Sequence, residues 1–168
     1  MSSQLRVDKI VPVDGAPTGG GGGIIQIKQG TLTAPASTTT SGSFTDTGLS
    51  ATITPKFNTS KVFCMVSLGS ISSAGGISVG FRLVRGSTDI ALPDSTALQS
   101  GFTNIYASSD TTLLNANFNF LDSPATTSAT TYKVTWRNSS GTTYLGRYNT
   151  NSTDYNGVST LTLMEVSA

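Results

Sequence analysis
The sequence predicts an all-β protein: an antiparallel β-sandwich, a jelly-roll-like head, after a short extended amino-terminal arm and a glycine-rich joint. Three observations lead there. Apolar and polar residues alternate along several stretches, the pattern of strands buried on one face. No stretch repeats apolar residues at helical spacing, and β-branched Thr, Val and Ile are abundant. Clusters such as "TPKFNTS", "SSAGG", "LPDSTALQSG", "LDSPATTSATT" and "RNSSGTT" cut the chain at short intervals, which suits a sandwich better than an α/β fold.

The division falls between an arm with its joint, residues 1–23, and a head, residues 24–168. Leu5, Val7, Ile10, Val11 and Val13 are too few apolar groups to build a core in the arm. Val7 alternates with Arg6 and Asp8 as in an extended strand. An extended segment satisfies its backbone by adding to the edge of another sheet. Gln4 to Val13 is therefore the expected docking arm. Gly19, Gly20, Gly21, Gly22 and Gly23 form the joint, where the absence of side chains permits free rotation or close approach of backbones.

Within the head, "LSATIT" places Leu49, Ala51 and Ile53 on one face and Ser50, Thr52 and Thr54 on the other. "KVFCMVSL" is apolar on both faces, Val62, Cys64 and Val66 against Phe63 and Met65, and reads as a central strand. One of its faces fills the core, and the other must be covered by a second sheet or a neighbouring subunit. A further strand runs from Ile77 to Val84 and turns at Arg85-Gly86-Ser87. In "TTLLNANFNFL", Leu114, Ala116, Phe118 and Phe120 line one side and Asn115, Asn117 and Asn119 the other. In "TYKVTWRN", Tyr132, Val134 and Trp136 alternate with Thr131, Lys133, Thr135 and Arg137. Trp136 is expected in the core with Phe118, Phe120, Tyr132 and Val134. "STLTLMEV" closes the chain as a strand.

Only 11% of the residues are charged, against roughly 25% in an average soluble protein. Ser, Thr, Asn and Gly must cover the surface instead. A net charge of +1 leaves no electrostatic footprint for nucleic acid or an anionic membrane. No apolar stretch approaches the roughly 20 residues of a membrane helix, and the first residues lack the apolar region of a secretory signal. The chain has no histidine, which excludes a Ser-His-Asp triad. Its one cysteine, Cys64, can build neither an internal disulfide nor a structural zinc site, and reads as a small buried hydrophobe. The glycine run lacks the Lys-Ser/Thr of a phosphate loop and enters a strand. The nine acidic residues are scattered and read as turn and capping groups. No catalytic residue, metal site or cofactor is expected, and the chain reads as a non-enzyme.

"SSQLRVDKIVPVDG" resembles the amino-terminal motif of small tail-fibre and virion structural proteins of marine tailed bacteriophages, especially those of cyanobacteria. The phrase is carried here by Leu5, Val7, Asp8 and Ile10 and is followed shortly by Gly15. "GGGGGIIQIKQ", "SFTDTGLSATITPKFNTSKVFCMVSLG", "FRLVRGSTDI", "LDSPATTSATTYKV" and "STLTLMEVSA" are similar to the same group, so the likeness covers most of the chain. It implies a homotrimeric fibre or spike in the virion, made in the host cytoplasm and released by lysis. It implies an arm, with Leu5, Val7, Asp8, Ile10, Val11 and Val13, that anchors the chain to another virion protein, and a head that meets the host surface. A capsid or tail decoration protein is the alternative. For host attachment, the aromatic and amide residues of "FTNIYASSD" and "GRYNTNSTDYNG" are the candidates to bind a surface glycan or protein: Phe102, Tyr106, Arg147, Tyr148, Asn149, Asn151, Asp154 and Tyr155.

Overall fold
The computed structural model describes residues 23–94, 100–150 and 155–167. The arm residues Leu5, Val7, Asp8, Ile10, Val11 and Val13, the joint from Gly19 to Gly22, and Asn151 and Asp154 lie outside the described residues. Gly23 leads directly into the first strand.

Eleven strands make up the regular structure of the described residues. In chain order they are β1 (Ile24–Leu32), β2 (Ala36–Thr38), β3 (Thr45–Ile53), β4 (Lys61–Ser73), β5 (Ile77–Arg85), β6 (Thr88–Ile90), β7 (Thr103–Ala107), β8 (Leu114–Asp122), β9 (Thr130–Asn138), β10 (Thr143–Leu145) and β11 (Ser159–Val166). They form two antiparallel sheets. The first holds β1, β11, β4, β10 and β2 in that order, with β8 on β4; the second holds β3, β9, β5 and β6, with β7 on β5. The inner faces meet in one core, and the fold is the antiparallel sandwich that the alternation predicts.

The predicted faces are observed. Leu49, Ala51 and Ile53 are buried along β3. Val62, Cys64, Val66 and Leu68 are buried along β4, and Ala116 and Phe118 along β8. β4 is the central strand of its sheet, paired with β8, β11 and β10. It serves both β11 and β10 because its pairing is interrupted. Register with β8 shifts between Leu68 and Ile71, and Ser70 takes a φ of 52°. Gly146 N–H then donates to Ser70 O at 3.0 Å, and Gly157 lies where any side chain would strike Ser70. β5 and β6 form a hairpin whose first loop residue, Gly86, has the positive φ such a turn requires.

Two departures concern packing. Trp136 is buried, but its ring neighbour is Phe81 on the adjacent strand of its own sheet, at 6.5 Å. Phe118 and Phe120, on the opposite sheet, pack instead on Phe102, at 4.7 and 6.2 Å. Alternation specifies which face a ring takes but not which ring it meets. Thr135, on the polar side of β9, is also buried, opposite Arg82 of β5 and Asp46 of β3.

At one edge the sheets come together. A Cβ at Gly30 would overlap the carbonyl oxygen of Ser50, so glycine alone lets β1 lie against β3 here.

Candidate contact surfaces
Two buried carboxylates are the first groups to ask about chemistry. Asp122 takes the inward position that follows Phe118 and Phe120 on β8. It accepts Tyr132 Oη–H at 2.7 Å, and Arg85 Nη1 donates to both of its oxygens at 2.8 Å. Glu165 follows Leu161 and Leu163 inward on β11 and accepts Gln26 Nε2–H and the Lys56 backbone N–H, each at 2.7 Å. Both are fully engaged in tying loops and strands together. Burial raises the Tyr132 phenol well above its ordinary value of 10.0, helped by the hydrogen bond to Asp122 and its charge. Burial likewise pushes the Cys64 thiol up to about 12, with a smaller contribution from Asp122. Both groups stay protonated at neutral pH. Among the described residues no three His, Cys, Asp or Glu side chains gather where a metal ion would sit.

The first surface is built around β10. Tyr144, at its centre, lies under the Arg147 guanidinium, whose Cζ is 4.3 Å from the ring centroid. Gly146, with a φ of 80°, turns the chain so that Arg147 can fold back. Ser72 Oγ–H holds the Arg147 carbonyl at 2.8 Å. Arg147 Nε donates to Tyr148 O at 3.0 Å and Nη2 to Asn149 O at 3.3 Å. The guanidinium thus clips its own loop and presents the aromatic rings. Tyr148 and Tyr155 meet edge to face at 5.5 Å, and Tyr155 is 66% exposed. Exposed ring faces with phenol hydroxyls suit stacking on a sugar or packing on a protein.

The candidates from sequence therefore divide. Arg147, Tyr148, Asn149 and Tyr155 come together. Tyr106 is 60% exposed on β7 of the other sheet, with its hydroxyl near Gly76. Phe102 is half-buried, its ring taken up by Phe118 and Phe120. Tyr144 was not among the candidates, although "YLGRY" places it three residues before Arg147, on the strand that leads into its loop.

The second surface is the outer face of the six-stranded sheet. Strand register arranges it in three rows across β1, β11, β4 and β8. The first row is Ile27, Met164, Phe63 and Leu121. The second is Gln29, Thr162, Met65 and Asn119, and the third is Thr31, Thr160, Ser67 and Asn117. No member of these rows is charged, but on the far side of the first row Val166 stands opposite the exposed Lys61. Ile27, Leu121 and Met65 are 55%, 45% and 44% exposed. A depression of about 370 Å³ lies between Met65, Ser67, Asn117, Asn119, Thr160 and Thr162.

The outer face of the other sheet is different. Asp46 pairs with Lys133 at 2.9 Å, and Asp89 with Arg82 at 2.7 Å. Arg82 also lies 3.7 Å over the Phe44 ring. Arg137 stands beside Gly80 in the same layer.

No family model matches the chain, and no curated protein matches it. Solved structures of similar shape include a VP2 protein of infectious bursal disease virus from derived T=1 particles, with 14% identity and a TM-score of 0.48 over 98% of this chain. The Gt and Gx strains of the same virus give 14% identity each, with TM-scores of 0.46 and 0.42. This chain spans 41% of the length of the first of these, 43% of the second and 42% of the third. At these scores the likeness carries no argument about function.

Proposed function
We propose that the chain is a structural protein of a bacteriophage virion, a trimeric fibre or spike whose head meets the host surface. The observation that carries the attachment role is the surface around β10. Arg147 folds back over Tyr144 and braces the loop that presents Tyr148 and the exposed Tyr155. Rings held this way bind with little loss of side-chain freedom, and their faces suit a neutral glycan or a protein surface. The sequence resemblance to phage virion proteins supports the location. In this reading residues 4–13 anchor the chain to another virion protein, the glycine run orients the head, and no catalysis is involved.

A capsid or tail decoration protein is the second reading, favoured by the apolar row Ile27–Met164–Phe63–Leu121 on the outer face of the six-stranded sheet, which suits burial against other protein. Gold-labelled antibody against the chain, imaged on intact particles by electron microscopy, separates the readings. Label confined to the tail supports attachment, label spread over the head supports decoration, and particles without label overturn both. Loss of cell binding on Tyr155→Ala, in a protein that still folds, would then assign the attachment surface.

A further inference from the structure
We propose that the loop leaving β10 and returning to β11 is a binding site for a neutral saccharide, with the rings of Tyr148 and Tyr155 as its floor. The proposal rests on the attachment reading above and names its ligand class.

The loop is closed at its base by backbone. Gly157 N–H donates to Gly146 O at 3.2 Å, so the two legs meet where they leave the sandwich. Gly146 N–H donates to Ser70 O at 3.0 Å, and a Cβ at Gly157 would lie 2.5 Å from Ser70 Oγ, so the legs seat directly on the interruption of β4. Above the base, Arg147 bonds to the carbonyls of Tyr148 and Asn149 and stacks on Tyr144, while Tyr148 packs edge to face on Tyr155. A surface loop whose ends touch and whose own side chains pack it is a frequent carrier of function. Tyr155 has a φ of 58°, uncommon for a bulky residue, and backbone strain of this kind gathers at ligand sites.

Chemistry then selects the occupant. A pyranose offers a C–H face that stacks on an aromatic ring and a rim of hydroxyls that both donate and accept hydrogen bonds. The two legs supply both kinds of partner: the rings of Tyr148 and Tyr155, and beside them Asn149, Thr150 and Asn156, of which Thr150 and Asn156 are exposed. The ring centroids, 5.5 Å apart, span about the length of a single pyranose. Tyrosine gives contact area at low cost in side-chain freedom, and asparagine gives adaptable hydrogen bonds. Residues 146–157 hold Arg147 and Asp154 as their charged groups, so the segment brings no net charge to favour an acidic or a basic ligand. Arg147 is already committed to the Tyr144 ring and two carbonyls. A protein partner at a standard interface would engage about 20–30 residues a side, far more than the few gathered here.

Position agrees. β1 begins at Ile24, opposite Val166 at the end of β11, whereas the loop joins β11 at its start, Ser159, opposite Leu32. The site therefore stands about 23 Å along the strand from the point where the chain enters the head. An arm held by the virion leaves this end of the sandwich facing outward.

The test is a printed array of neutral oligosaccharides of hexose, N-acetylhexosamine and deoxyhexose, with sialylated and uronic-acid oligosaccharides alongside, probed with the purified full chain. Wild type should bind at least one neutral structure. Titration of that structure should show Tyr155→Ala and Tyr148→Ala weakened by about tenfold or more, the loss expected of a truncated aromatic anchor. Tyr155→Phe keeps the ring face and should lose far less. Tyr155 is exposed, so its variants read the site even where Tyr148→Ala costs the fold. A chain that binds no neutral structure, binds only acidic ones, or keeps wild-type affinity as folded Tyr155→Ala overturns the proposal. The attachment reading fails separately. A chain that binds cells through Tyr155 but no neutral saccharide overturns the ligand class, keeps attachment and directs it to a protein. A chain that binds neutral saccharide through Tyr155 while label spreads over the head supports the site and overturns the fibre.

Discussion

Removing the Asp122 carboxylate by Asp122→Ala should destabilise the sandwich through one neighbour more than the other. Asp122 accepts the Tyr132 hydroxyl at 2.7 Å and the Arg85 guanidinium at 2.8 Å. Tyr132 is 0% exposed, so its hydroxyl would be left without a partner and without water. A stranded buried donor costs about 1–3 kcal/mol. The Arg85 side chain is 29% exposed and can turn to solvent, so its ion pair adds only about 0–1 kcal/mol. The sum is about 1–4 kcal/mol. In a domain of this length that lowers the thermal midpoint by roughly 2–16 °C. The assay is thermal unfolding of four proteins: wild type, Asp122→Ala, Tyr132→Phe and the double variant. Tyr132→Phe removes the donor in advance, so Asp122→Ala in that background should cost about 1 kcal/mol or less. Equal losses in both backgrounds would refute the argument and place the role of Asp122 on Arg85 alone.

Gly30→Ala should cost at least the about 1–3 kcal/mol typical of overpacking, because the added methyl meets the Ser50 backbone, which cannot rotate away; an unchanged thermal midpoint would mean that β1 does not lie so close to β3. Trp136→Ala should cost about 3–5 kcal/mol through the lost packing on Phe81. Trp136→Phe should cost much less, since it keeps a ring there and removes a buried indole N–H that has no partner among the described residues. Stability against urea should be flat around neutral pH and fall above about pH 9. The Cys64 thiol and Tyr132 phenol titrate later in the folded chain than their ordinary values of 9.0 and 10.0. The folded state therefore holds protons that the unfolded state has released, which lowers stability as pH rises. Cys64→Ala should flatten the portion of that fall between pH 9 and about 12.

The strands that alternate were legible because burying one face imposes a period of two. β3, β8 and β11 follow it residue by residue, and β9 departs from it at Thr135. β2, β6 and β10 have three residues each, too few to display a period, and their pairing depends on neighbours far along the chain. The buried carboxylates left a signal that the scattered-acid reading passed over. Asp122 and Glu165 occupy the next inward position after two apolar ones, where a charge must be paired or hydrogen-bonded. Their partners were not legible. Arg85 is 37 residues from Asp122, and Gln26 is 139 from Glu165, distances that only the sheet topology closes. Among the surface candidates, composition alone identified the aromatic residues. Whether a ring faced outward, as at Tyr155, or inward, as at Phe102, depended on the loop geometry.

The low charge content takes on a location once the strands are paired. A chain that merely avoided charge would deplete both outer faces alike. Instead β5 and β9 present Arg82, Lys133 and Arg137 outward, while the outward positions of β8 hold Asn115, Asn117, Asn119 and Leu121. Asparagine is a poor strand residue, and threonine or lysine would serve a merely solvated strand at lower cost in β propensity. Three asparagines in alternation on β8 thus oppose local preference. What an asparagine adds over threonine is an amide with two donors and an acceptor on a short, neutral stem. Such a ladder can exchange hydrogen bonds with water or with another neutral polar surface without presenting a charge to either.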